Sequence, residues 1–192
     1  MFLIRRPSPA AIDSFLLRAK DHAFSYSKPG LTRGTNPAGY QVDHNRVRLG
    51  DGEQAYRRGV SSIRDWEMFN LGWVQLFPRK APIAVGTTVA AVIRHFGFWS
   101  INASRIVYTI EEERRFGFAY GTLHQQHAED GEERFSVEWN SEDDSVTYDL
   151  LAISKPQQWQ TRMAGPVARA LQRRFARDSL AAMVRAAASP SR

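Results

Sequence analysis

The side chains best suited to chemistry gather between positions 124 and 133: His124, His127, Glu129, Asp130, Glu132 and Glu133. An imidazole held by a carboxylate can serve as a general base near neutral pH, or the two can share a divalent metal. The spacing matches no metal-ligand pattern. Zinc also needs a further ligand and partners that orient it, which a hairpin turn supplies poorly. No metal is therefore expected, and His127 with Glu129, Glu132 or Glu133 is the acid–base candidate. His44 is the second candidate, with Asp43 and Arg46 close by. Adjacent strand residues point to opposite faces. Asp43 therefore cannot pair with His44 without a bulge, whereas His44 and Arg46 share a face.

The strand that leads into this turn has two unlike sides. Alternation puts Phe116, Phe118, Tyr120 and Thr122 on one face, and Gly117, Ala119 and Gly121 on the other. A bare face admits close approach by another backbone, a helix or a ligand, and the final helix is one candidate to fill it. Other chemistries are excluded by composition. There are no cysteines, so disulfides, thiolate nucleophiles and cysteine-based metal centres are ruled out. No dinucleotide fingerprint, P-loop or nucleophile-elbow pentapeptide is present, and no cofactor is indicated. The formal charge is +6. Much of that excess lies in the last helix at Arg162, Arg169, Arg173, Arg174, Arg177 and Arg185, while residues 129–144 are acidic. This pattern reads as a solvated helix face, and nucleic acid is not the expected partner.

The elements that must position these residues follow from periodicity. Ser8 and Pro9 open a helix over Pro7–Lys20, with Ile12, Phe15, Leu16 and Ala19 on one stripe. An irregular loop runs from Phe24 to Gly39. A strand over Tyr40–Leu49 leads to Asp51, placed to cap a helix through Ala55, Tyr56, Gly59, Val60, Ile63 and Trp66. Strands are predicted at Thr87–Gly97, Ile101–Glu111, Arg115–Leu123, Glu132–Trp139 and Ser145–Ile153, with a short one at Gly72–Phe77. Their short connections favour antiparallel pairing. Gly165-Pro166 introduces a closing helix to about Ala187, with Val167, Leu171, Phe175, Leu180, Met183 and Val184 on its apolar side. Residues 1–192 are expected to form one α+β domain with a frayed tail at 189–192. Its curved antiparallel sheet is gripped by the last helix, the START/Bet v 1-like helix-grip order. The first residues lack the charge-then-apolar order of a secretory signal, and Ile83–Ile93 is too short to span a bilayer, so a cytoplasmic location is expected.

Several of these segments together resemble the DUF1990 family of uncharacterised proteins. The resemblance rests on Phe24–Tyr26 with Gly30 and Thr32, on Gly39-Tyr40 through Arg46 to Leu49-Gly50, and on Arg105–Tyr108. It continues in Gly117–Leu123, His127 with Glu129, Gly131–Phe135, Ser154-Lys155-Pro156, and Gln172, Arg173 and Phe175. One departure is local: His124-Gln125-Gln126 stands where the family pattern has a Pro-Gly turn. The resemblance implies the domain and assigns no reaction, so whether the chain is an enzyme stays open.

A space between sheet and closing helix is where a helix-grip fold would hold a small apolar or amphipathic molecule. The expected lining is Tyr108, Phe118, Tyr120, Trp139 and Tyr148, with Arg105 or Arg134 as polar anchor and the Phe24–Gly39 loop as gate. The alternatives are an enzyme using a His/Glu pair in that pocket, or a binder of nucleic acid or another anionic partner through the C-terminal arginines.

Overall fold

The computed structural model describes residues 2–34, 38–124, 129–156 and 161–188, and the side chains of these except 2, 129, 156 and 161–168. The elements in chain order are β1 (Phe2–Leu3), α1 (Pro9–Ala19), β2 (Gln41–Asp51), α2 (Gly52–Arg64), β3 (Val74–Phe77), β4 (Thr88–Arg94) and β5 (Trp99–Glu112). They continue with β6 (Arg115–Thr122), β7 (Glu129–Trp139), β8 (Ser145–Pro156) and α3 (Thr161–Ala188), and 3-10 turns lie at Leu31–Arg33 and Glu67–Phe69. The expected tail at 189–192 and His127 fall outside the described residues, as do the side chains of Arg162, Pro166 and Val167.

β3 to β8 form an antiparallel meander, and β2 closes the far edge by pairing with β8 from Gln41↔Ser154 to Asp51↔Ser145. Pairing of the first long strand with the last is the helix-grip order expected from the sequence. β1 adds to β5 at Phe2↔Ser100 and Leu3↔Trp99, a strand too short for its pattern to signal. Register shifts at Arg48/Gly50 and Ile106/Tyr108 are bulges, which sharpen twist and help the sheet curl.

The two faces carry separate cores. On the concave face, α2, the Glu67–Phe69 turn and α3 bury Ile63, Trp66, Met68, Phe69 and Met183 against Phe116, Phe118, Tyr120, Phe135, Val137, Tyr148 and Leu150. Leu171, Phe175, Ala176 and Leu180 of α3 pack on the same cluster. On the convex face, α1 buries Ile12, Phe15, Leu16 and Ala19 against Ala90, Val92, Ile101, Ala103 and Leu123. Ser8 Oγ caps α1 by accepting from the Ala11 amide at 3.2 Å.

Two local expectations are corrected. Asp51 sits at the N-terminus of α2 but makes no side-chain cap, because its carboxylate pairs with Arg48. The closing helix starts at Thr161, ahead of Gly165-Pro166. Arg173, Arg177 and Arg185 of α3 are exposed, as expected of a solvated helix face, and several α3 arginines also have partners. Arg174 stacks over Trp73 at 4.4 Å, Arg177 pairs with Asp178 at 2.9 Å, and Arg169 reaches Asp43 at 3.4 Å.

Candidate functional site: a polar network on the convex face and a polar pair beneath α3

The bare side of β6 faces outward, and α3 does not fill it. The segment from Phe24 to Arg33 lies there instead. Phe24 bridges to Leu123, and the Ser25 amide donates to the Thr122 carbonyl at 2.9 Å. The need for glycine is steric: a Cβ on Gly121 would stand 2.0 Å from Tyr26 Oη and 3.0 Å from Phe24 Cδ1.

What gathers this segment is Glu132, 1% exposed on β7 and directly across from Gly121. Its Oε2 accepts from Tyr26 Oη at 2.8 Å and from the amides of Gly30 at 2.7 Å and Leu31 at 3.2 Å. Its Oε1 accepts from the Thr32 amide at 3.0 Å and from the Thr32 hydroxyl. Because that hydroxyl gives its one proton to Glu132, the 2.7 Å contact to Tyr108 requires Tyr108 Oη to donate to Thr32 Oγ1. Burial pushes both tyrosine hydroxyls above their ordinary range, and for Tyr26 the Glu132 charge adds to it. The Arg33 guanidinium covers the Tyr108 ring at 3.9 Å.

The network runs on along β7, β8 and β2. Arg134 donates to the Thr32 carbonyl at 3.0 Å and to Asp149 Oδ1 at 2.9 Å. Asp149, 1% exposed, also receives Arg46 Nε at 2.9 Å and His44 Nε2 at 2.6 Å on Oδ2. Burial alone would raise the Asp149 carboxyl, but the hydrogen bonds and charges of Arg134 and His44 outweigh it and hold it below the usual range. A carboxylate can only accept, so His44 Nε2 carries the proton and Nδ1 is the nitrogen left for exchange. The His44 side chain is 45% exposed. Arg46 then reaches Glu138 at 2.8 Å, and Glu138 meets Arg115 at 3.0 Å.

The concave face carries a smaller polar feature inside an aromatic interior. Tyr120 Oη donates to Glu133 Oε2 at 2.8 Å, and burial followed by the Glu133 charge raises the Tyr120 hydroxyl strongly. Around the pair, Phe69 lies 5.3 Å from Phe175 and 5.6 Å from Phe135, and Phe135 lies 5.2 Å from Tyr120. These rings occupy the space under α3. Open grooves of about 640 Å³ and 710 Å³ lie elsewhere, between α2 and the β5–β6 turn, and beside α1.

The expected lining residues therefore do not line one space. Phe118, Tyr120 and Tyr148 converge under α3, where Tyr148 Oη meets Ser179 Oγ at 3.1 Å. Trp139 sits at the end of β7, its ring 5.9 Å from Tyr56 and its Nε1 donating to Asp144 at 2.7 Å. Tyr108 and Arg134 are on the convex side, moved there by the bulge after Ile106 and by alternation along β7. Arg105 closes α1, donating to the carbonyls of Ala19 at 3.0 Å and Lys20 at 2.7 Å. Glu132 and Glu133 part to opposite faces. The Glu129 side chain lies outside the description. The Phe24–Arg33 segment cannot gate the concave interior, because Glu132 ties it to the other side.

Sequence reasoning named His44 but not its partner Asp149, and did not place Tyr26 and Thr32 at a site. Asp149 was findable as the one acid inside the apolar run Val146–Ile153.

A UPF0548 protein of Deinococcus radiodurans is 36% identical over 97% of this chain and 99% of its own length. A UPF0548 protein of Dictyostelium discoideum is 31% identical over 98% and 97%. Among solved structures, a hypothetical protein of Helicobacter pylori superposes with a TM-score of 0.53 at 12% identity, covering 84% of this chain and 94% of its own. A norcoclaurine synthase mutant of Thalictrum flavum in complex with a transition-state analogue superposes at 0.50 and 10% identity, covering 76% and 94%. Those likenesses show the helix-grip fold. The family described as "Domain of unknown function (DUF1990)" matches residues 25–182, which hold both the Glu132-anchored segment and the strands beneath α3, and the chain belongs to that family.

Proposed function

We propose that the chain binds a small molecule with an apolar body and a hydrogen-bond-donating head in the interior between the sheet and α3. The observation that carries this reading is the Tyr120–Glu133 pair, a buried hydroxyl donating to a half-buried carboxylate beside Phe69, Phe118, Phe135 and Phe175. A few placed polar groups in an apolar surround is the composition of a small-molecule site. Glu133 accepts, so it selects a donor: an alcohol, an amine or a ring N–H. Phe69 and Phe175 come from the 3-10 turn and α3, not from the sheet, so they are the rings a guest displaces. A neighbour of the same fold is known in complex with a transition-state analogue, which supports the reading by analogy of fold.

Titration with decanol, followed through amide chemical shifts, tests this. Saturable shifts at 118, 120, 135 and 148 and along the inner side of α3 are expected. Shifts confined to the outer face, or none, sink the proposal.

One observation favours a second reading. The His44–Asp149 pair has the arrangement of an oriented general base on a half-exposed surface. Saturable hydrolysis of p-nitrophenyl acetate that vanishes in His44→Gln would support it. An unchanged rate in that variant would discard it.

A further inference from the structure

The turn between β4 and β5 holds the most exposed large apolar side chain among the described residues, Phe96, at 90%. The His95 amide donates to the Phe98 carbonyl at 2.8 Å, closing a two-residue turn. Gly97 takes φ +86° there, which leaves Phe96 at the outward corner. Phe98, 39% exposed, follows it, with the His95 ring stacked on Phe98 at 4.5 Å. β1 ends beside this hairpin, because Leu3 pairs with Trp99, and it delivers Ile4, 89% exposed, next to Phe98. Arg5 and Arg6 follow Ile4 in the chain, Arg94 pairs with Trp99 across the hairpin, and neither residues 1–6 nor 94–99 contain an acid. Arg6 lies over Trp99 at 5.9 Å and donates to Gln75 at 2.6 Å, which holds β1's exit against the sheet.

Single exposed apolar residues are ordinary on a protein surface. Three at one corner, on two segments that carry Arg5, Arg6 and Arg94 and no acid, are a different feature. A second copy docking by a two-fold axis would bring two such sets of arginines together, which like charge opposes. Anionic headgroups complement the arginines, while the rings match the boundary between headgroup and acyl chain. From this we infer that the β4–β5 hairpin and the chain after β1 form a peripheral docking surface for an anionic lipid bilayer. Phe96, Phe98 and Ile4 enter the interface, and Arg5, Arg6 and Arg94 lie on the headgroups. The body of the domain stays in water, in keeping with the absence, among the described residues, of a helix long and apolar enough to cross.

Co-sedimentation of the full chain with large vesicles of phosphatidylcholine, with and without phosphatidylserine, tests the inference. Binding to the anionic vesicles only is expected, and it should weaken as salt is added. Phe96→Ser should lower the partition coefficient about tenfold, and Arg94→Ala roughly fivefold. Both positions are exposed, so unchanged circular dichroism and thermal midpoint will show that the fold is kept. No binding to anionic vesicles at low salt overturns the inference. So does binding that both variants leave intact, which would assign the attraction to the net charge or the α3 arginines. Concentration-dependent dimerisation abolished by Phe96→Ser overturns it in favour of a second copy.

Discussion

At the scale of residues, two buried acids organise the convex face, and they differ in what they hold. Glu132 gathers backbone amides and hydroxyls of one segment, so its removal should be felt first there. In Glu132→Ala, five donors lose their acceptor, and a loss on the order of 3 kcal/mol is expected in urea denaturation. Hydrogen exchange should show the amides of Gly30, Leu31 and Thr32 losing protection before the strands do. Uniform loss across the sheet would mean that Glu132 supports the fold and not the segment. Asp149 holds charges instead. Its carboxyl is depressed in the folded chain, so its contribution is present above the unfolded value near 3.9 and is lost as pH falls through the lower folded value. The wild type should therefore lose stability below about pH 4 more steeply than Asp149→Asn. At pH 7 the variant should already be weaker by about 3 kcal/mol, because Arg134 is left without its buried partner. Parallel acid limbs in the two proteins would contradict the assignment.

At the scale of elements, β6 is the divider between two environments, and its glycine side exists for a close approach. Gly121→Ala should destabilise by about 1–3 kcal/mol through the clash with Tyr26. Tyr26→Phe removes the nearest atom, so the double variant should lose less than the sum of the two. Additive losses would place the strain elsewhere. On the other face, Phe175 is the α3 ring over Phe69. Phe175→Ala should lower stability by roughly 2 kcal/mol and raise decanol affinity, since it empties the space a guest must take. Lower affinity in that variant would argue that the ring contacts the guest and does not compete with it.

At the scale of the whole molecule, local signals and long-range ones were legible to different degrees. The strand and helix order, the α1 stripe and the alternation of β6 were readable because each depends on residues a few positions apart. The face that the bare side of β6 would meet was not. Alternation separates two faces without saying which one is concave, and the answer lies in Glu132 meeting Thr32, a hundred positions away. The same holds for His44 and Asp149, 105 positions apart. The bulge after Ile106 moved Tyr108 to the outer face against a simple period of two, and a bulge leaves little mark on residue types. The binding candidates named from the sequence therefore fall on both faces of the sheet.

On the function proposed above, the interior beneath α3, with Tyr120 and Glu133 at its polar point, accommodates a small molecule. Native mass spectrometry of the chain purified from its own host tests this, alongside the double variant Tyr120→Phe/Glu133→Leu. That variant replaces the Tyr120 hydroxyl and the Glu133 carboxylate by apolar groups, so the donor and the acceptor of that bond are removed together. One non-covalent small-molecule adduct is expected on the wild type, and its loss is expected in the variant. The bare mass in both proteins, or an adduct that persists in the variant, would contradict it.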